Sequence, residues 1–320
     1  MTGTALILGS TGRFGRAAAA AFTAAGWTVT EWRRPDPAAL NEDGIVRGDL
    51  FDQQALVAAA NVDVIVNALN PAYPDWAKDV PRITDAVIDA AKATGATVLI
   101  PGNVYNYGSN LPPHLTATTP EVGDHRKAAI RIAMEAAYRG AGVPTIILRA
   151  GDFIDTVPGD NWFEGQITAK VRSGRLMYPG PTDVPHAWAF LPDMARAAEM
   201  LAARRADLPR FTAIGFPGYT LTGAELMDLI DQATGAKAKR GGLPWPILRL
   251  MGLFSPLMRE VAEMRYLWRR PHAVDGTDFA AILPDFRPTD PLQAIRASLA
   301  GCGRLDTPPL APAKGSAITA

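Results

Sequence analysis

Three glycines spaced three apart, Gly9, Gly12 and Gly15, frame the heptapeptide Gly9-Ser10-Thr11-Gly12-Arg13-Phe14-Gly15. The apolar run Ala5-Leu6-Ile7-Leu8 precedes it directly, and an alanine-rich stretch follows. Strand, glycine turn and helix in that order make a seat for a pyrophosphate. The first glycine permits a tight turn, the second lets backbone N–H groups approach the phosphates, and the third lets the helix press on the strand. The helix N-terminus adds a partial positive charge. Three glycines can also serve a purely structural turn, but here strand, loop, helix and a second strand (27–32) all fall where a dinucleotide needs them.

The tip of the second strand selects the dinucleotide. NAD sites place a carboxylate there, about 20 residues along the unit, to bind the ribose 2′-hydroxyl. Eighteen residues after Gly15 this chain has Arg33, followed by Arg34. Guanidinium groups attract a 2′-phosphate through charge-assisted hydrogen bonds, and Arg13 projects from the loop toward the same region. The expected cofactor is therefore NADP (NADPH), with NAD less favoured. Solvated surface arginines, with Glu31 serving a ribose, are the alternative. In Gly48-Asp49-Leu50, Asp49 suits the adenine amino group and Leu50 a ring face; a simple turn carboxylate is the plainer reading.

The elements that must position these groups are legible as alternating patterns. Strand-like runs recur at 44–47, 62–67, 97–100 and 145–149, separated by helical segments, notably 76–94 and 123–140. That alternation predicts an α/β fold, a Rossmann-type doubly wound parallel sheet, with a smaller C-terminal α/β substrate domain. We expect residues 1–150 to form the cofactor domain, with 185–216 returning to it through a helix (191–205) and a strand (211–214). Segment 161–173 looks helical, and 222–233 a helix capped by Thr222. Residues 151–184 and 217–304 would form the substrate or lid domain, and 305–320 a flexible tail.

These features, with Val66-Asn67-Ala68-Leu69, Asn103-Val104-Tyr105-Asn106-Tyr107-Gly108 and Leu148-Arg149-Ala150-Gly151-Asp152-Phe153, resemble the extended short-chain dehydrogenase/reductase family, in particular its epimerase and dehydratase branch. The resemblance covers nearly the whole chain, although only the glycine loop is highly specific. It implies cofactor contacts at Ala68, Leu69, Ala150 and Phe153. It also implies a catalytic Ser or Thr after the fifth strand and a Tyr-x-x-x-Lys pair on the next helix. Lys127 matches that lysine, which would bind the nicotinamide ribose. Gly123 stands where the tyrosine belongs, and Asn103 where the serine belongs.

Two tyrosines offer a substitute. Tyr105 and Tyr107 follow the fifth strand at the C-terminal sheet edge, where ligands bind. Tyr105 is the candidate proton donor, its phenol pKa lowered by the Lys127 charge, and Asn103 a hydrogen-bond partner for a substrate carbonyl. A packing role for the tyrosine, and a solvated basic face for Arg126, Lys127 and Arg131, are the alternatives. Substrate contacts are expected from Asn70, Tyr73, Tyr107, Asp152, Asn161, Trp162 and His186, the last either an acid or base or a structural histidine.

Composition narrows the class further. The 32 Lys and Arg balance 32 Asp and Glu, leaving no net field for nucleic acid or an anionic membrane, so a small molecule is the expected partner. One cysteine, Cys302, excludes an internal disulfide, and no histidine has metal-ligand spacing, so no metal is expected. A cytoplasmic protein fits, with a homodimer through the helices 76–94 and 123–140 as a plausible assembly. The expected function is an NADP-dependent oxidoreductase or epimerase/dehydratase-like enzyme. A non-catalytic NADP(H)-sensing regulator is the rival reading, motivated by Gly123.

Overall fold

The computed structural model describes residues 3–36 and 42–305. Seven parallel strands form the main sheet: β1 (Thr4–Leu8), β2 (Thr28–Arg33), β3 (Ile45–Arg47), β4 (Val64–Asn67), β5 (Thr97–Gly102), β6 (Thr145–Arg149) and β7 (Phe211–Gly215). Their spatial order is β3-β2-β1-β4-β5-β6-β7, reversing direction of build-out at β1. Residues Ala5 to Leu8 are all fully buried, as a central parallel strand must be when helices cover both faces.

The α-helices of the described residues are α1 (Arg13–Ala24), α2 (Gln53–Ala59), α3 (Trp76–Thr94), α4 (Arg126–Ala141), α5 (Leu191–Ala203), α6 (Gly223–Thr234), α7 (Trp245–Met251), α8 (Pro256–Glu263), α9 (Thr277–Ile282) and α10 (Pro291–Gly301). One face of the sheet packs a core with Phe14, Ala18 and Phe22 of α1 and Met194, Ala198 and Leu201 of α5. The other packs Leu56, Val87, Ala91, Met134 and Tyr138 of α2, α3 and α4. These apolar residues recur at helical spacing, and α1 and α5 lie against the sheet and against each other. Thr222 caps α6 in a reciprocal capping box with Glu225.

A separate three-stranded sheet joins 185–190 to 152–154 in parallel and to 219–222 antiparallel. Strand 185–190, expected to return to the main sheet, therefore lies outside it; only α5 and β7 return, β7 pairing with β6. Residues 161–173 are not one helix. They form a π-type turn, Trp162–Ile167, and a single 3-10 turn, Val171–Ser173. Gly165 sits so close to the backbone of Asp160 that an added Cβ would lie 2.8 Å away, which fixes this irregular path. Helix α4 begins at Arg126 with His125 as N-cap, so Gly123 precedes it in an exposed loop. The expected tail from residue 306 onward lies outside the described residues.

Glu164 ties the π-type turn to its surroundings. It is fully buried; Oε1 accepts from Asp155 N–H (2.7 Å) and from the Ser298 hydroxyl (3.4 Å), and Oε2 has no partner among the described residues. Burial pushes its carboxyl up from 4.5 to about 7. The folded state thus keeps a proton that the unfolded chain has released, and the stability present below about pH 4.5 is lost as pH rises through 7. Denaturant titrations at pH 5 and pH 8 are expected to show the wild type losing roughly 3 kcal/mol more than Glu164→Gln over that interval. Parallel losses in the two proteins would contradict a proton held at this site.

Candidate cofactor and active site

The glycine loop has the backbone geometry that its spacing predicts. Gly9 adopts φ +80°, and a Cβ there would fall 2.9 Å from the Ala68 carbonyl oxygen. The Gly12 N–H donates to the Gly9 carbonyl at 2.9 Å and closes the turn. At Gly15 a Cβ would lie 2.2 Å from that same carbonyl, so only glycine lets α1 approach the loop this closely. No side chain caps the N-terminus of α1 and no acidic residue stands in its first turn, which leaves its N–H groups for an anion. The Ser10 hydroxyl is buried and has no partner among the described residues. A buried orphan donor at this position fits a phosphate oxygen. Thr11 is exposed beside it, whereas the Phe14 ring belongs to the core, so Phe14 could offer only its backbone.

The arginines are differently disposed from the expectation. Arg13 is ion-paired with Asp160 and so points toward the 155–160 loop. Arg16 holds the same loop through Asp155 at 2.9 Å. Arg33 does stand at the end of β2, but Glu31 on the same strand face holds its guanidinium at 2.9 Å, with Glu42 at 4.0 Å. Arg34 is exposed. Asp49, exposed, accepts the Phe51 N–H at 3.0 Å and so shapes its own turn, and Leu50 packs on the core.

At the other end of the site, Lys127 is 1% exposed and buried between two carboxylates of α8, Glu260 and Glu263. Its ammonium lies 5.2 Å from the Tyr73 ring centroid. Tyr73 and Tyr105 share a hydroxyl–hydroxyl bond of 2.9 Å. Burial pushes both phenols above their ordinary range, Tyr105 furthest, and the Asp152 charge adds to the rise. The expectation that Lys127 lowers the Tyr105 phenol is therefore corrected: the ammonium is neutralised by α8, and desolvation dominates. Asn103 precedes the 3-10 turn at 105–107, and its Oδ1 accepts the Tyr105 N–H at 3.0 Å.

Asp152 lies at the start of the strand after β6, and its Oδ2 meets His186 Nε2 at 2.8 Å. The carboxylate side chain is 20% exposed and the imidazole 2%, so Asp152 faces outward and His186 backs it. The ring of His186 stacks on Trp268 at 4.2 Å and meets His272 edge-on at 4.5 Å; its Nδ1 is buried without a partner. Burial first, and then the His186 charge, push His272 down to about 3, which keeps that ring neutral. Burial pushes the phenols of Tyr178 and Tyr266 up as well, and the Asp152 charge adds to the rise at both. No group of three metal-ligating side chains occurs among the described residues, and no described helix is long and apolar enough to cross a membrane.

The model of the NmrA-like family matches residues 1–276. The chain belongs to the NmrA-like family. Its seven-stranded parallel sheet and glycine loop have the Rossmann-like arrangement of the solved structures that it resembles. The NmrA-like chain resembles L-threonine 3-dehydrogenase from Trypanosoma brucei in fold (TM-score 0.73, 15% identity, 97% of this chain and 100% of that one). It also resembles a putative epimerase from Burkholderia cenocepacia (TM-score 0.72, 18% identity, covering 93% and 97%). UDP-glucose 4-epimerase from Brucella ovis, solved with NAD, is similar too (TM-score 0.69, 15% identity, covering 94% and 98%). No curated protein matches the sequence.

The remaining expected residues of this NmrA-like protein divide into three groups. Ala68, Leu69, Ala150 and Phe153 follow the C-terminal ends of β4 and β6, with Ala68 forming the wall against Gly9. Trp162 packs between Trp245 and Trp268, Asn161 caps the π-type turn, and Asn70 is exposed. Tyr107 is not with Tyr105: it lines a cavity of about 200 Å³ with Glu135, Arg139 and Arg149, and the Arg149 guanidinium covers its ring. Sequence reasoning missed Glu260, Glu263, Tyr266 and the N-cap role of His125. The Nδ1 of His125 accepts from Ala128 N–H, so Nε2 carries the proton and donates to the Tyr266 hydroxyl at 3.0 Å. Replacing Gly15 by Ala should force the loop and α1 apart and weaken NADPH binding at least about tenfold by calorimetry, with the global fold retained. Unchanged affinity would show that the loop does not hold the pyrophosphate.

Proposed function

We propose that the chain is an NADP(H)-dependent oxidoreductase or epimerase/dehydratase-like enzyme acting on a carbonyl or hydroxyl carbon of a small molecule or sugar derivative. The observation that carries this reading is the close-packed glycine loop, with the buried, partnerless Ser10 hydroxyl at its centre. Backbone amides of residues 10, 11 and 13–15 would hold the pyrophosphate, and Arg33 the 2′-phosphate once Glu31 releases it. Bound there, the nicotinamide supplies or accepts the hydride. Lys127 would meet the ribose hydroxyls after parting from Glu260 and Glu263.

Proton handling falls to Asp152. Its carboxylate is the outward-facing member of the Asp152–His186 pair, and His186 fixes its orientation. The Tyr73–Tyr105 pair stays protonated because both phenols are desolvated. One of its two protons is used in their mutual bond; the other is available to donate to a substrate oxygen. Asn103, already engaged by Tyr105 N–H, supports this pair. A homodimer through the outer surfaces of α3 and α4 is part of the same reading.

A second reading, a non-catalytic NADP(H) sensor, is favoured by Gly123 in place of the tyrosine and by the occupied Lys127 ammonium. The two differ in turnover. As an enzyme, the purified protein oxidises NADPH with at least one member of a broad carbonyl panel, and Asp152→Asn lowers kcat by roughly 10² or more without changing NADPH affinity. Arg33→Ala is expected to weaken NADPH about tenfold more than NADH. Tight NADPH binding with no turnover on any carbonyl would select the sensor.

A further inference from the structure

Helices α7 and α8 form a hairpin that closes tightly at Gly252, where an added Cβ would lie 3.1 Å from the Arg259 Cα. Its outer side is apolar and is not covered by any other described residue. Ile247, Leu250 and Met251 of α7, Leu257 of α8, and Leu253 and Phe254 at the turn are exposed, the last two by 73% and 86%. Six of the ten exposed large hydrophobic residues among those described thus fall within positions 247–257. A concentration of this kind marks an interaction surface.

Charge indicates what covers it. From Lys237 to Arg259 the sequence holds Lys237, Lys239, Arg240, Arg249 and Arg259 and no Asp or Glu. Arg240 is tied to Asp228 and Asp231, but Arg249 and Arg259 are exposed on either side of the apolar turn. The first carboxylates beyond this run, Glu260 and Glu263, are engaged with Lys127. The balance of 32 basic and 32 acidic residues over the whole chain averages out this local excess. A second copy meeting the same face across a two-fold axis would bring Arg249 and Arg259 against their own counterparts, with no carboxylate in the run to offset them. An anionic lipid surface offers both things the hairpin lacks: phosphates for the arginines and an acyl boundary for Leu253 and Phe254.

We propose that the α7–α8 hairpin docks on an anionic phospholipid bilayer, with Leu253 and Phe254 entering the headgroup boundary and Arg249 and Arg259 meeting lipid phosphates. This inference is independent of the cofactor reading. The test is co-sedimentation of the full chain with vesicles of phosphatidylcholine mixed with phosphatidylglycerol, against vesicles of phosphatidylcholine alone. The wild type is expected to pellet with the mixed vesicles and to remain in solution with the neutral ones. Arg249→Glu with Arg259→Glu should lower partitioning about tenfold or more. Leu253→Ser with Phe254→Ser should abolish it while the circular dichroism and melting curve stay unchanged, since both side chains are exposed. No binding by the wild type, or binding indifferent to both pairs of substitutions, overturns the proposal. So does a concentration-dependent dimer in sedimentation velocity that Phe254→Ser dissolves without any vesicle binding, an outcome that would assign the face to a second copy.

Discussion

The site depends on one close approach: the Cα of Gly15 lies against the Gly9 carbonyl, where a methyl group would sit at 2.2 Å. This contact sets the angle at which α1 leaves β1 and presents its uncapped N–H groups at the sheet edge. It also leaves the Ser10 hydroxyl enclosed without a partner, a state whose cost of roughly 1–3 kcal/mol a phosphate oxygen would offset. Folding stability alone gives no reason to keep such a loop. An anion bound there does.

The second organising feature is the buried ammonium of Lys127, set between Glu260 and Glu263. Desolvating Lys127 and Glu260 is costly, and their attraction recovers that cost only while the pair is kept, with Glu263 closing it from the solvent side. The arrangement couples α4 to α8, residues more than a hundred positions apart, and makes the position of α8 a condition for what Lys127 can touch. Beside it, Asp152 and His186 form a shorter chain of the same kind, in which a partly exposed carboxylate is aligned by a buried ring stacked on Trp268.

What could be read from the sequence was local. The strand, loop and helix around Gly9 to Gly15 are specified by residues next to one another, so spacing was enough, and the seven-stranded alternation followed from apolar runs and helical periodicity. Contacts across long separations left no such trace. Nothing near Lys127 announces Glu260, 133 residues away, or shows that Tyr266 meets His125, 141 residues away. Arg33 was correctly placed at the tip of β2, yet its pairing with Glu31 depends on side chains sharing one strand face. Strand 185–190 has the apolar content of a main-sheet strand, and only its partners 152–154 and 219–222 reveal another sheet. The carboxylate-free run from Lys237 to Arg259 was visible throughout, but an average over the whole chain hid it.

A crystal structure of the protein grown with saturating NADPH tests the central claim most directly. Pyrophosphate oxygens are expected within about 3 Å of backbone N–H groups among residues 10, 11 and 13–15 and of the Ser10 hydroxyl. A nucleotide bound elsewhere, with Ser10 still unpartnered and the loop bare, would contradict it.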